Sequence, residues 1–308
     1  MAITLNWSNR NQTVTEARIY RGTVRESKTL LTTLTGNVNT YTDATAAVNT
    51  LYYYQVSLVI NSEEIPGSTL PMMSVSDTGP GPQTLASGTW EFGYFGRMLA
   101  TEFMTSADIR GQLPVITGWS AAQAVSFWRK YAYMGKVIYI PDVPILQSAS
   151  QAGLTSIAGL YSAGILYGNN RSDKISYITA TPTMQNAKVV KDQYEFMIRP
   201  PKTNYSNDPT VGVASSAISE VQRSEVMLAL MMNSGWTPNY TNISNGSAFP
   251  RVSPIDQPAV GYNYCVTQHF NSPSALHVFA SNSGGINALA TTGSNTLQFL
   301  PVLELVLG

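Results

Sequence analysis

The stretch FWRKYAYMGKVIYIPDVPI, residues 127–145, sets Arg129, Lys130 and Lys136 among aromatic residues and around a Gly135-Lys136 turn. Cations gathered beside a glycine turn are the chemistry of anion or nucleic-acid binding. The spacing argues against it. A phosphate loop needs G-x-x-x-x-G-K-[S/T], whereas Lys136 is followed by Val137 and Lys130 stands where the first glycine belongs. The few cations of this stretch are too sparse for a nucleic-acid track. The stretch reads as a packing unit, with Phe127, Trp128, Tyr131 and Tyr133 partly buried, Gly135 providing a turn and Pro141 ending a strand.

The other reactive groups are thinly placed. His269 and His277 are eight residues apart, an even spacing that puts both on one face of a strand, but Asp256 is the nearest upstream acid and completes no metal set. Cys265, the single cysteine, lies in the aromatic-apolar run YNYCVTQHF and reads as a small buried hydrophobe; its pairing with His269 as a thiol nucleophile is the weaker alternative. Glu91, Glu102, Asp108 and Asp142 show no spacing that marks a carboxylate pair. A G-x-S-x-G nucleophile elbow is absent. No catalytic residue, metal ligand or cofactor is expected. A binding role is carried by NSGWTPNYTNISNGS (233–247), where Trp236 and Tyr240 would stack on sugar rings or pack on neighbouring subunits.

Composition narrows the partners. Of 308 residues, 12% are charged, about half the usual share of roughly 25%, and 18 basic residues balance 18 acidic ones. Such a chain has no long-range field to steer it to nucleic acid or anionic lipid, and little charge to oppose self-association. One cysteine excludes an intrachain disulfide and a cysteine-rich zinc site. MAITLNWSNRNQ has no basic run followed by an apolar stretch, so no secretory signal is expected, and no apolar run approaches the roughly 18 to 20 residues of a membrane helix.

The elements that must position these residues fall into two parts. Residues 1–76 read as a β-sandwich of short strands: Ile3, Leu5 and Trp7 alternate with polar residues; Ala17 and Ile19 precede Gly22; residues 29–36 end at Gly36. Tyr52, Tyr54, Val56 and Leu58 alternate after a loop holding Asp43, and INSEEIPGS turns into a last strand at 70–75. Residues 77–88 have the Gly/Pro/Ser composition of a linker. Residues 89–308 read as a larger α+β domain, with helices over 121–133 and 219–232 (Ser219 as N-cap) and strands over 137–140, 160–167, 192–199 and at the C-terminal LQFLPVLELVLG.

ITLNW, ARIYRG and NTYTDATAAVNTLYYYQVSLV resemble successive strands of a fibronectin type III domain. The resemblance implies a tyrosine corner, at Tyr52 first and Tyr54 second, and a first strand missing or supplied by a neighbour. Another seven-strand sandwich is the alternative. FWRKYAYMGKVIYIPDVPI, AGLYSAGILYG, the S-E near SEVMLAL and the terminal L-P-V-L-E-L together resemble a structural domain of tailed-bacteriophage virion proteins. QSASQAG and Leu300 depart from the usual Ser-Trp and Arg of that pattern. The resemblance implies a non-enzymatic virion part, assembled in the host cytoplasm: a tail or neck component such as a collar, fibre base or adaptor. The alternatives are a capsid-surface decoration and a carbohydrate-binding adhesin. Its partners would be copies of itself, other virion proteins and, for an adhesin, host surface glycan, with no nucleic acid and no membrane insertion.

Overall fold

The computed structural model describes residues 2–9, 13–148, 153–166, 168, 172, 181–202, 225, 264–272, 275–280, 286–290 and 297–307. These residues form mostly β-sheet, in several antiparallel sheets. The chain divides into two compact units: unit 1 is Met1–Gly96, Tyr131–Val137 and Leu307–Gly308, and unit 2 is Arg97–Lys130 with Ile138–Val306.

Unit 1 contains β1 (Ile3–Asn6), β2 (Val14–Val24), β3 (Ser27–Thr35), β4 (Thr40–Asp43), β5 (Leu51–Ile60) and β6 (Glu63–Met73). β1 and β4 pair as one antiparallel sheet, and the rest form a second in the order β3-β2-β5-β6. Alternation makes both sheets amphipathic. Ile3 and Leu5 from the small sheet meet Ile19, Tyr54 and Val56 from the large one, with Ala46 between and Trp7, Leu31 and Leu34 half-buried around them. β6 starts at Glu63, immediately after the two-residue turn Asn61-Ser62, so the strand expected at 70–75 is only the end of a much longer one. Both turn residues have positive φ, as a tight right-twisted hairpin requires.

The later strands are β7 (Ser87–Gly88), β8 (Phe92–Leu99), β9 (Trp119–Ala121), β10 (Phe127–Tyr133), β11 (Lys136–Pro141), β12 (Leu146–Ser148), β13 (Lys188–Lys191), β14 (Tyr194–Arg199), β15 (Tyr264–Ser272), β16 (Ala275–Ala280), β17 (Ile286–Ala290), β18 (Leu297–Phe299) and β19 (Val302–Leu305). One sheet has the order β13-β14-β19-β11-β10-β8-β7 and another β17-β16-β15-β18-β12-β9. β15 pairs with β18 in parallel. The helices are α1 (Ser106–Gln112) and α2 (Gly153–Ser162). Thr105 caps α1 reciprocally: its hydroxyl accepts from the Asp108 N–H, and the Asp108 carboxylate accepts from the Thr105 N–H.

Two expectations are corrected. Residues 121–133 are not a helix; β9 ends and β10 lies there. FWRKYAY is dominated by aromatic residues suited to a pleated surface, and Trp128, Lys130 and Ala132 are all buried at period 2. Within the segment expected as a strand over 160–167, the described residues 160–166 form none, because α2 runs to Ser162 and then stops. Gly164, at φ +73°, turns the chain after it. The helix expected at 219–232 lies outside the described residues apart from Glu225.

Candidate functional site

Two carboxylates of unit 1 each gather an arginine and a tyrosine, and Glu64 likewise accepts from Arg18 and Tyr20. Asp43, at the end of β4, is fully buried. It accepts from the Tyr54 hydroxyl at 2.6 Å, from Arg21 Nη1 at 2.6 Å, and from the Thr45 backbone N–H at 2.9 Å and hydroxyl at 2.7 Å. Burial pushes its carboxyl up, but the bonds from Tyr54, Thr45 and Arg21 outweigh burial and hold it below the usual carboxylate range. The same burial, with Asp43 as acceptor, raises the Tyr54 hydroxyl far above its ordinary value. A buried carboxylate with this many donors is a structural anchor, held ionised and fully engaged.

The second carboxylate is Glu91. Arg25, at the β2–β3 turn, binds it through two guanidinium nitrogens and stacks 5.4 Å over the Tyr53 ring. The Tyr53 hydroxyl donates to Glu91 at 3.3 Å, and burial followed by the Glu91 charge pushes that hydroxyl up to about 12. Backbone carbonyls of Trp90 and Glu91 accept from the N–H groups of Gly135 and Met134 at 2.9 and 2.7 Å. The Met134-Gly135 turn is thereby tied to the same point. Both residues have positive φ, and a Cβ on Gly135 would lie 2.8 Å from Leu51 Cβ.

Unit 2 holds the most buried ionic cluster. Arg199, at the end of β14, is 1% exposed in its side chain. Nη1 and Nη2 fork onto Glu225 at 2.6 and 2.7 Å, while Nε and Nη2 reach Glu304 of β19 at 3.2 and 2.7 Å. The Lys202 backbone N–H adds a bond to Glu225 at 2.8 Å. β14 and β19 pair antiparallel with Met197 opposite Glu304, which brings Arg199 alongside. Gly168 leaves room for the arginine stem, since a Cβ there would lie 2.6 Å from Arg199 Cδ. Burial alone would disfavour the Arg199 charge, but the two carboxylates hold it above its ordinary value. Burial likewise pushes Glu225 up, and Arg199 outweighs that and holds it below the usual range.

Of the aromatic residues of the opening stretch, Phe127, Trp128 and Tyr139 belong to unit 2, and Tyr131 and Tyr133 to unit 1. Trp128 is fully buried, donates its indole N–H to Met104 O at 2.7 Å and meets Phe103 edge-on at 5.5 Å. Phe103 also meets Tyr139 and Phe196. Lys130 is buried, with its ammonium 5.8 Å from the Tyr139 ring. Outside this core, Arg97 and Arg129 both lie over Phe127. Pro141 is buried at the end of β11, and Asp142 beside it accepts from the Ser126 N–H at 3.1 Å.

The remaining residues singled out in the sequence are dispersed. Trp7 packs on the unit 1 core, and its buried indole N–H has no hydrogen-bond partner among the described residues. Tyr52 accepts from the Ala47 N–H at 3.4 Å and lies under Arg21 at 4.8 Å, whereas Tyr54 takes the Asp43 bond. Cys265 and His269 belong to β15 and His277 to β16; in register Cys265 faces Phe279 and His277 faces Ala288. Trp236 and Tyr240 lie outside the described residues. Among the described residues no group of three His, Cys, Asp or Glu side chains is placed to hold a metal, and no helix is long and apolar enough to cross a membrane. Sequence reasoning missed the Arg199 cluster and the role of Asp43. Glu304, a charged residue inside the otherwise apolar strand VLEL, was the available signal.

No protein-family model and no curated protein matches this chain. Among solved structures it is similar to the pectate lyase Pel3 of Pectobacterium carotovorum, at 25% identity with a TM-score of 0.22. That likeness spans 25% of this chain and 24% of the lyase, and neither fold nor activity follows from it.

Proposed function

We propose that the chain is a non-enzymatic structural component of a tailed-phage virion, tail- or neck-associated, that mediates assembly contacts with copies of itself and with other virion proteins. The reading rests on the motif resemblance, and one observation supports it. The acids of two of its motifs, Glu225 of SEVMLAL and Glu304 of P-V-L-E-L, are engaged by the same buried arginine. Motif chemistry is thereby directed at tying distant parts of the chain together.

Residues 1–76 are, on this reading, a fibronectin type III-like sandwich that spaces or presents the remainder, an α+β structural domain over 89–308. The strand order and the Tyr52 hydroxyl reaching back to Ala47 support that assignment.

Low charge density implies assembly through apolar and neutral hydrogen-bonded contacts, which salt screens little. The test is light scattering of the full chain over a range of concentrations in low and moderate salt. A closed oligomer whose mass is unchanged by salt is expected. A monomer at every concentration, or dissociation by moderate salt, overturns the assembly role.

A further inference from the structure

We propose that the free edge of β3 is the surface on which a second copy of this chain adds, antiparallel about a two-fold axis at Leu34, joining two four-stranded sheets into one. The inference rests on the assembly reading and names its surface.

Other sheet edges of this chain are closed by their own side chains. An open edge presents unpaired N–H and C=O groups, and proteins blunt it with proline, charge or a covering group. On the far side of the same sheet, β6 carries Pro66 and Pro71, begins with Glu63 and Glu64, and has its Gly67 carbonyl taken by the Gln55 side chain at 2.8 Å. In unit 2, β13 is flanked by Lys188 and Lys191, and the Gln112 amide binds it as a further strand would. That amide accepts from the Val190 N–H at 2.7 Å and donates to the Val190 carbonyl at 3.1 Å. Among the described residues, the β3 edge has none of these after Lys28. Residues 29–36, TLLTTLTG, contain no proline and no charge.

Register identifies which groups are open. The Gly36 N–H donates to the Thr15 carbonyl at 2.7 Å, and β3 continues with Thr35, Leu34, Thr33 and Thr32 opposite Glu16, Ala17, Arg18 and Ile19. Hydrogen-bonded and non-hydrogen-bonded pairs alternate in an antiparallel ladder. Leu34 and Thr32 are therefore bonded to β2, while Thr33 and Thr35 direct N–H and C=O to the free edge. Both threonines are exposed. Leu31 has no opposite residue on β2, because Ile19 pairs with Thr32 and Tyr20 with Leu30. This bulge confines strand addition to the segment that follows it.

That segment matches itself. With the axis at Leu34, Thr33 faces Thr35 of the second copy and the reverse pair repeats it, so every outward group finds its complement. Leu34 meets its own copy at a non-hydrogen-bonded position, where side chains approach closest. Leu34 already packs on the unit 1 core, which such contact would extend. Electrostatics do not oppose the pairing. The nearest cation, Arg18, is bound by Glu16 at 3.2 Å and Glu64 at 2.6 Å.

Two variants of the full chain test this. Thr33→Pro deletes one of the two outward N–H groups without removing a bond to β2, a position an edge strand tolerates. Leu34→Cys sets two thiols within disulfide reach across the axis, and the wild type with its single Cys265 is the control. The expected result is a wild-type oligomer of even number, half that mass for Thr33→Pro with its thermal midpoint retained, and a covalent dimer of Leu34→Cys under mild oxidation that the wild type does not form. A wild-type oligomer whose mass Thr33→Pro leaves unchanged, with no Leu34→Cys dimer, overturns the β3 pairing and leaves the assembly reading standing. A monomeric wild type at every concentration overturns both.

Discussion

Tyr54 on β5 donates its hydroxyl proton to Asp43 at the end of β4 at 2.6 Å, a buried bond that joins the two sheets of unit 1. The aromatic ring fills the core while the hydroxyl satisfies a carboxylate that would otherwise be costly to bury. Tyr54→Phe keeps the ring and removes that donor. The expected loss is about 1–3 kcal/mol, read from the urea midpoint at unchanged slope. An unchanged midpoint would show that water replaces the hydroxyl.

The pH dependence has a definite sign. Asp43 and Glu225 are both held below their ordinary values by hydrogen bonds and cationic partners. A carboxylate depressed in the folded state stabilises fully above its unfolded value and loses that contribution as pH falls through the folded one. Unfolding free energy should be flat near neutrality and decline with acid only below about 4.5, the ordinary glutamate value. Tyr54→Phe should show a smaller acid loss that is complete at higher pH than in the wild type, because Asp43 then lacks one stabilising donor and its folded value lies closer to its unfolded one. Chemical denaturation at stepped pH reads both effects.

Part of this arrangement was legible in the sequence. Ile3, Leu5, Ile19 and Val56 announce their strands by alternation, and β11 and β19 by short apolar runs near prolines. β10 was not legible as a strand because Ala122, Val125 and Trp128 also fit a helical face, and because the buried Lys130 breaks the apolar alternation that would identify it. α2 was misread for the opposite reason: an apolar run punctuated by glycine carries no helical polarity. Arg199, Glu225 and Glu304 are far apart in sequence, so only the register of β14 on β19 and the placement of Glu225 bring them together. The Gly135 turn was legible, since glycine marks positive φ, but its contact with Leu51 was not.

Arg199 offers a sharper test than either of its partners. Its guanidinium matches two carboxylates at once, which a lysine ammonium cannot do with the same geometry. Removing one member of a buried ion cluster leaves charge without a partner and costs about 3–5 kcal/mol. Arg199→Met is expected to destabilise by that order, and Arg199→Lys to recover only part of it. Glu304→Gln, at the more exposed carboxylate (12% against 0% for Glu225), should cost less than Glu225→Gln. Equal effects of the two glutamine variants in denaturant unfolding would contradict that ranking.

The hairpin turn between β10 and β11 separates two backbone demands that predict opposite signs. Met134 at φ 50° and Gly135 at φ 76° both occupy the left-handed region, as a two-residue hairpin loop with matching twist requires. Methionine has no intrinsic liking for it, whereas asparagine does. Met134→Asn should therefore stabilise the protein by a few tenths to about 1 kcal/mol. Gly135→Ala meets the same φ and also drives its methyl to 2.8 Å from Leu51 Cβ. It should destabilise by about 1–3 kcal/mol, from strain plus overpacking. Pairing Gly135→Ala with Leu51→Gly, which removes the clashing Cβ, distinguishes the two costs in a double-mutant cycle. If overpacking dominates, the second substitution relieves most of the penalty of the first; if backbone strain dominates, the two penalties add.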